Sequence, residues 1–405
     1  MRRGDAGSVG LTQRGWTLLA VAASMIAAAA LFGLQELYPP AAAALVLVAA
    51  CRLWVGARTW DVRAARHVHP PRVPAGVVAR VDVTARNHSR GTSPVVTLRD
   101  PFDGGAHLPC LMVAPLGAGE AATATYSLPT CQRGVFQIGP MELEMTDPFG
   151  LARAVKVAAP PATLTVHPPV TPIRSRQLPA DAKRDTRVPL PVLGSGGDEF
   201  YGLREYRVGD DLRRVHWVST ARTDELMIRQ PENLWKSRLT VTVDLRAHAH
   251  GASTLDAVLS AAASIADAGL RSGLDVRLMT TAGLATPYAS GHAHRAAILD
   301  SLAAARTHPG VGLPDTVRSA GRSGPMVLVT TDAVSDADLS PFTRPGRPTV
   351  TTVVLFERGP GEPAHGRPEV GKAAPSGPDR SSVDANRLVR VTPGSSFQSA
   401  WDRLQ

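Results

Sequence analysis

The chain has 405 residues, 44% of them hydrophobic and only 5% aromatic, and its 44 Lys+Arg against 35 Asp+Glu leave a formal charge of +9. That length exceeds what one core organises, so two or three folded units are expected. The basic excess is mostly arginine and spread along the chain, with no zinc-finger or RNA-binding signature. It is read as general and partly membrane-related, and no nucleic-acid partner is expected. The cysteines, Cys51, Cys110 and Cys131, are too few for a disulfide framework. Cys110 and Cys131 could pair if their domain lay outside the cell, but are read as reduced structural thiols.

In chain order, residues 1–15 form a basic N-terminal tail and residues 16–57 a membrane hairpin. Residues 16–34 are uncharged, apolar and long enough for a bilayer-crossing helix. Pro39 and Pro40 interrupt the run and can open a second helix over residues 41–55. Trp16, Tyr38, Trp54 and Trp60 sit near the edges, as interfacial aromatics do. A signal peptide is disfavoured by the length of the first run and by the second span that follows at once. Arginines 2, 3 and 14 precede the hairpin and 52, 58, 63 and 66 follow it, while the connecting loop has none. The positive-inside rule therefore sets both ends, and the soluble part, in the cytoplasm, with the plasma membrane as anchor.

Residues 67–170 alternate in short apolar segments: 77–85, 95–98, 121–127, 134–138, 141–145 and 162–166. Turn formers such as Asn87-His88-Ser89 and Asp147-Pro148-Phe149-Gly150 separate them, which predicts an antiparallel β-sandwich-like domain. Residues 171–197, rich in Pro, Gly and basic side chains, read as an extended linker, or as a lipid-facing basic arm. Beyond them, strands are expected at 239–245, 274–280, 326–331 and 349–356, with helices at 254–271 and 292–307. This order implies a doubly wound parallel α/β sheet. Residues 357–384 are Gly-, Pro- and charge-rich and read as disordered. A last strand and helix are expected at 387–391 and 395–404.

The densest signal lies at residues 199–232, where aromatic and charged residues alternate around Gly209-Asp210-Asp211. Asp210 can cap a short helix, with Leu212, Val215 and Trp217 turned into a core. Glu199, Phe200, Gly202, Leu203, Arg204, Tyr206, Gly209, Asp210, Arg213, Trp217, Ala221 and Arg222 follow a long signature. Through it the chain resembles the bacterial family built on the domain of unknown function 58. A hairpin, a β-domain with an Arg133-to-Leu151 stretch ending Asp-Pro-Phe-Gly-Leu, and a following α/β unit fit the same family. The resemblance implies a degenerate von Willebrand factor A-like domain in residues 198–405 and association with a MoxR-type AAA+ ATPase.

A von Willebrand A domain holds a dication with hard oxygen ligands, an Asp-x-Ser-x-Ser run followed by a Thr and an Asp from later loops. Here Asp244 matches the first aspartate and Asp332 the last, but Arg246 and His248 replace both serines. An arginine ion pair flanked by Asp244 and Asp332 is expected in place of a metal. His216 beside Asp210 and Asp211 reads as a structural histidine, and His248 and His250 lack a third ligand for a soft metal. With no nucleophile elbow, Walker loop or dinucleotide fingerprint, neither catalytic residues nor a cofactor are expected. The expected role is a membrane-anchored, non-enzymatic scaffold or adaptor working with that ATPase, in cell-envelope or complex assembly. The alternatives are a metal-dependent ligand binder and a cryptic envelope hydrolase. The sharpest open point is whether the 199–232 motif is a binding surface or a clasp that knits domains together.

Overall fold

The structure is a computed structural model that describes residues 8–58, 60–174, 178, 202–206, 215, 217–223, 225–230, 238–251, 254–309, 312–313, 315–316, 325–335, 338, 351–358 and 388–403. The chain divides into two units, residues 1–169 and nearly all of residues 170–405.

The first unit begins with a strand that the sequence reading assigned to a plain tail. β1 (Ser8–Leu11) leads into helix α1 (Gln13–Phe32), capped by Thr12, whose side chain accepts from the Gly15 amide at 3.1 Å. Gly33, at φ 69°, ends α1 in a left-handed conformation open to glycine without strain. A short turn leads into α2 (Tyr38–Ala57), with its prolines in the first turn, where they cost no helical hydrogen bond. Both helices are long and apolar enough to cross a bilayer, about 30 Å each. Ala22, Ala29, Ala41 and Val48 are buried, small side chains that let paired helices approach closely. Much of the rest is bare: Leu31, Phe32, Val46 and Leu53 are exposed.

Ten further strands follow: β2 (Val62–His69), β3 (Arg72–Pro74), β4 (Ala79–Asn87), β5 (Val96–Arg99), β6 (Cys110–Val113), β7 (Ala121–Leu128), β8 (Gly134–Ile138), β9 (Met141–Thr146), β10 (Ala152–Ala159) and β11 (Ala162–His167). They form three sheets, ordered β1-β10-β9-β5-β6, β2-β4-β7 and β3-β11-β8. The alternation in β4 is sharp. Ala79, Val81, Val83 and Ala85 point into the core while Arg80, Asp82 and Arg86 face outward. Pairing is antiparallel except between β3 and β11, which run parallel. The Pro70-Pro71 break ends β2 and releases β3 to a different sheet, a departure from the all-antiparallel expectation.

One core joins this unit, and it includes the base of α2. Val48, Cys51 and Val55 pack in the same cluster as Leu98, Leu143 and Val166. The domain therefore does not start at residue 67. Arg66, read from sequence as a membrane-flanking charge, is buried instead. Its Nη1 lies 2.5 Å from Asp100 Oδ1, and its Nη2 donates to the Pro160 carbonyl at 2.6 Å. Tyr126 donates to the other Asp100 oxygen, and burial, followed by that carboxylate, pushes its phenol far above the ordinary range. Cys110 and Cys131 are exposed free thiols, and Cys51 is a buried one.

The Asp147–Leu151 turn is tied by one carboxylate. Asp147 accepts from the Phe149 amide at 2.8 Å, the Leu151 amide at 2.7 Å and the Ala152 amide. Burial opposes ionisation, but these amide donors together with the Cys51 thiol outweigh it and hold the carboxyl below its ordinary value. The group therefore stabilises the fold fully above the unfolded carboxylate range, and that contribution is lost as pH falls through the lower folded value. Acid titration of thermal stability should show this loss in the wild type. Asp147→Asn should start less stable at neutral pH and fall less steeply in acid; parallel curves would refute the assignment.

In the second unit, β12 (Gly202–Glu205) pairs antiparallel with β13 (Met227–Gln230), and α3 (Trp217–Thr223) lies between them in sequence. A five-stranded parallel sheet follows: β14 (Arg238–Val243), β15 (Asp275–Thr280), β16 (Met326–Thr331), β17 (Thr351–Phe356) and β18 (Leu388–Val391). Every residue of β16 is buried, and so are the last five of β14, as a two-sided parallel sheet requires. Helix α4 (Thr254–Arg271) packs on β14, β15 and β16. An added Cβ at Gly269 would meet Leu239 Cδ2 at 2.8 Å, so only glycine allows that approach. Helices α5 (His292–Ala304) and α6 (Phe397–Trp401) complete the described elements.

The strand order is β15-β14-β16-β17-β18. The chain thus leaves β14 to one side and returns on the other, which opens a crevice beyond the C-terminal ends of β14 and β16. The expected linker is anchored at its start: Ile173 and Leu178 are buried, and Trp401 Nε1 donates to the Arg174 carbonyl at 3.3 Å. Most of residues 171–197, and nearly all of the stretch 357–384 read as disordered, lie outside the described residues.

Candidate functional site

An ion pair lies just beyond the C-terminal end of β14. Asp244, fully buried just after β14, accepts at Oδ1 from the Arg246 amide (3.1 Å) and Nε (3.0 Å). Its Oδ2 accepts from Arg246 Nη2 (2.9 Å) and from the Thr330 hydroxyl (2.8 Å). The second carboxylate on the guanidinium is Asp338, 3.2 Å from Nη1 and braced by the Ser335 hydroxyl at 2.9 Å. It is not Asp332, as the sequence suggested. Asp332 pairs with Arg358 at 2.7 Å, because the turn after β16 carries its side chain toward the end of β17. Burial works against the Arg246 charge, yet the hydrogen bonds and charges of Asp244 and Asp338 hold it more firmly protonated than usual.

Two histidines flank this pair differently. His248 is exposed, whereas His250 is buried with Nε2 2.6 Å from the Asp244 carbonyl oxygen. Burial lowers the His250 pKa, favouring the neutral ring. Thr281 accepts from the Leu245 amide at 2.8 Å, and Thr331 donates to the Ala249 carbonyl. Asp338, Thr330 and Thr281 were missed in sequence. Thr330 lies in β16, Asp338 follows it and Thr281 comes directly after β15, and only the strand order brings them to the end of β14.

A dication does not fit this donor set. Both Asp244 oxygens are engaged by a guanidinium, and a cation there would face Arg246 at contact distance. Among the described residues no group of three or more His, Cys, Asp or Glu side chains is arranged to hold a metal.

The sequence motif is only partly described. Gly202 pairs with Gln230 and Arg204 with Ile228 in the β12–β13 hairpin, and the Tyr206 amide continues it to the Leu226 carbonyl at 2.7 Å. Thr220 of α3 accepts from the Met227 amide at 3.0 Å, which pins the helix to β13. Val215 is buried, as expected of an anchor. Trp217 is not: it is 70% exposed, and Val218 beside it is 63% exposed. Arg222 is also exposed. Glu199, Phe200, Gly209, Asp210, Arg213 and His216 lie outside the described residues, as does the Arg204 side chain.

Residues 202–377 match the family described as Protein of unknown function DUF58. That segment is a DUF58 domain. The matched segment runs from the β12–β13 hairpin through β17, so it holds both the exposed tryptophan and the ion pair. No curated protein matches the chain. Among solved structures, a CARDB domain from Pyrococcus furiosus with two metal ions is similar at 17% identity, covering 25% of this chain and 93% of that one, with a TM-score of 0.19. A β-glucosidase from Listeria innocua with gluconolactone is similar at 17% identity over 26% of this chain and 16% of its own, TM-score 0.19. A β-glucosidase from Erythrobacter marinus, at 15% identity over 26% of this chain and 15% of its own, also scores 0.19. Likeness this limited says nothing about what this chain does.

Proposed function

We propose that this protein, with its DUF58 domain, is a membrane-anchored, non-enzymatic scaffold or adaptor that works with a MoxR-type AAA+ ATPase in cell-envelope or complex assembly. In this reading α1 and α2 span the plasma membrane and both soluble units are cytoplasmic. The first unit is β-sandwich-like. The second is a von Willebrand A-like domain in which Arg246 takes the place of the cation. The hairpin returns the chain to the side it left, and β1, before the first helix, pairs with β10, after the second. The arginine-rich flanks then favour the cytoplasm as that side.

The observation that carries the adaptor role is the exposed Trp217–Val218 pair on a helix pinned inside the family motif. Exposed tryptophan on a fixed helix is characteristic of a protein-binding hot spot. At the end of β14, by contrast, the Asp244 carboxylate is already engaged by Arg246.

Detergent-solubilised wild type and Trp217→Ala/Val218→Ser should be compared by co-purification with the ATPase, with thermal melting of both. The variant is expected to lose the ATPase while its stability changes by no more than about 0.5 kcal/mol, as for surface substitutions. Equal recovery of the ATPase would refute the surface, and failure to recover it with either protein would refute the partner. A Mg²⁺-dependent rise in wild-type melting temperature that vanishes in Asp244→Ala would favour the ligand-binding alternative.

A further inference from the structure

The Asp147–Leu151 turn carries an exposed aromatic ring at the root of the first apolar helix. Phe149 is 62% exposed although its backbone is held by the Asp147 carboxylate. The same turn grips α1 directly. The Thr12 hydroxyl donates to the Gly150 carbonyl at 2.5 Å, and the Thr12 amide to the Leu151 carbonyl at 2.9 Å. Gly15 lies against Leu151, with room for no side chain between them. The Arg14 guanidinium reaches within 3.7 Å of the space a Cβ on Gly150 would occupy. Trp16, one residue on from Gly15, is 64% exposed.

We propose that this turn is a lipid-interface site, with the Phe149 ring seated at the headgroup–acyl boundary and Arg14 at the phosphate level. The assignment rests on α1 and α2 spanning a bilayer. The first turn of α1 then lies at the membrane surface, and the Gly150 and Leu151 carbonyls bring Phe149 to that level. A phenyl ring beside a bilayer gains by leaving water for the boundary, and aromatic side chains with arginine are the residues that settle there. A ring on a mobile loop could fold back onto the protein. The three amides bound by Asp147 hold this turn in one geometry, and Gly150, at φ 71°, completes it. The domain is then held to the membrane at a second point besides the helices, which restricts its tilt.

The test uses the full chain in phospholipid nanodiscs with Cys110→Ser and Cys131→Ser, while Cys51, which is buried and hydrogen-bonds Asp147, is kept. A nitroxide is placed at Phe149→Cys or, in a separate sample, at Val46→Cys, an exposed position in α2. Collision with oxygen, which partitions into lipid, is compared with collision with a water-soluble nickel chelate. The expected result is a label at residue 149 more accessible to oxygen than to nickel, at shallower depth than residue 46. A fully water-accessible residue 149 with a deep residue 46 would overturn the interface site and leave the membrane hairpin standing. A water-accessible residue 46 would remove the hairpin reading and the interface site with it.

Discussion

Asp244→Ala is expected to destabilise the α/β unit by about 3–5 kcal/mol, because it leaves a buried guanidinium without its main partner. The Arg246 side chain is only 7% exposed, and the substitution also strips an acceptor from the Arg246 amide and the Thr330 hydroxyl. Asp338 stays 3.2 Å from Nη1 but is itself partly solvated, so it compensates little. Asp244→Ala/Arg246→Met should recover much of the loss, since removing both charges also removes the desolvation cost. Thermal or urea unfolding, with and without Mg²⁺, measures all three proteins. A single mutant as stable as wild type would mean that the pair contributes nothing. Rescue of the single mutant by Mg²⁺ would mean that a cation can replace the arginine.

Gly15→Val should be the most disruptive change in the first unit, at about 2–4 kcal/mol from overpacking and a weakened helix cap. A Cβ at residue 15 would lie 2.2 Å from the Leu151 carbonyl oxygen, backbone against backbone, with no flexible side chain to yield. The start of α1 must move away, taking Thr12 from the Gly150 and Leu151 carbonyls and loosening β1 from β10. Hydrogen exchange should accelerate at residues 9–15 and 151–155 together. Gly10→Ala is the control: nothing lies within 4 Å of its added Cβ, and stability should barely change. Equal effects of the two substitutions would show that the N-terminal segment is not held against the domain.

Local pattern was informative where it reports the burial of one face. The apolar helices needed only composition and the proline pair, and β8 and β16 were read to the residue from β-branched runs between turns. β1, β2 and β10 were missed because their Gly, Ala, Arg and His residues resemble tail or loop. They become strands by pairing with segments far along the chain. The 199–232 motif was visible as composition and resemblance. Yet Trp217, expected in a core, faces solvent instead.

The sequence by itself determined that two apolar helices precede a β-rich segment and a strand–helix series. It also determined the resemblance of residues 199–232 to the DUF58 family and the placing of Arg246 two residues after Asp244. These properties live in short windows, where periodicity and residue type act on neighbouring residues. Only the tertiary structure decided that β1 reaches past both helices to pair with β10, that Arg66 is buried on Asp100, and that Asp338 rather than Asp332 completes the Arg246 pair. Each depends on strand order and packing between distant segments: a charge finds its partner wherever the folded backbone leaves a carboxylate, and chain spacing carries no record of that.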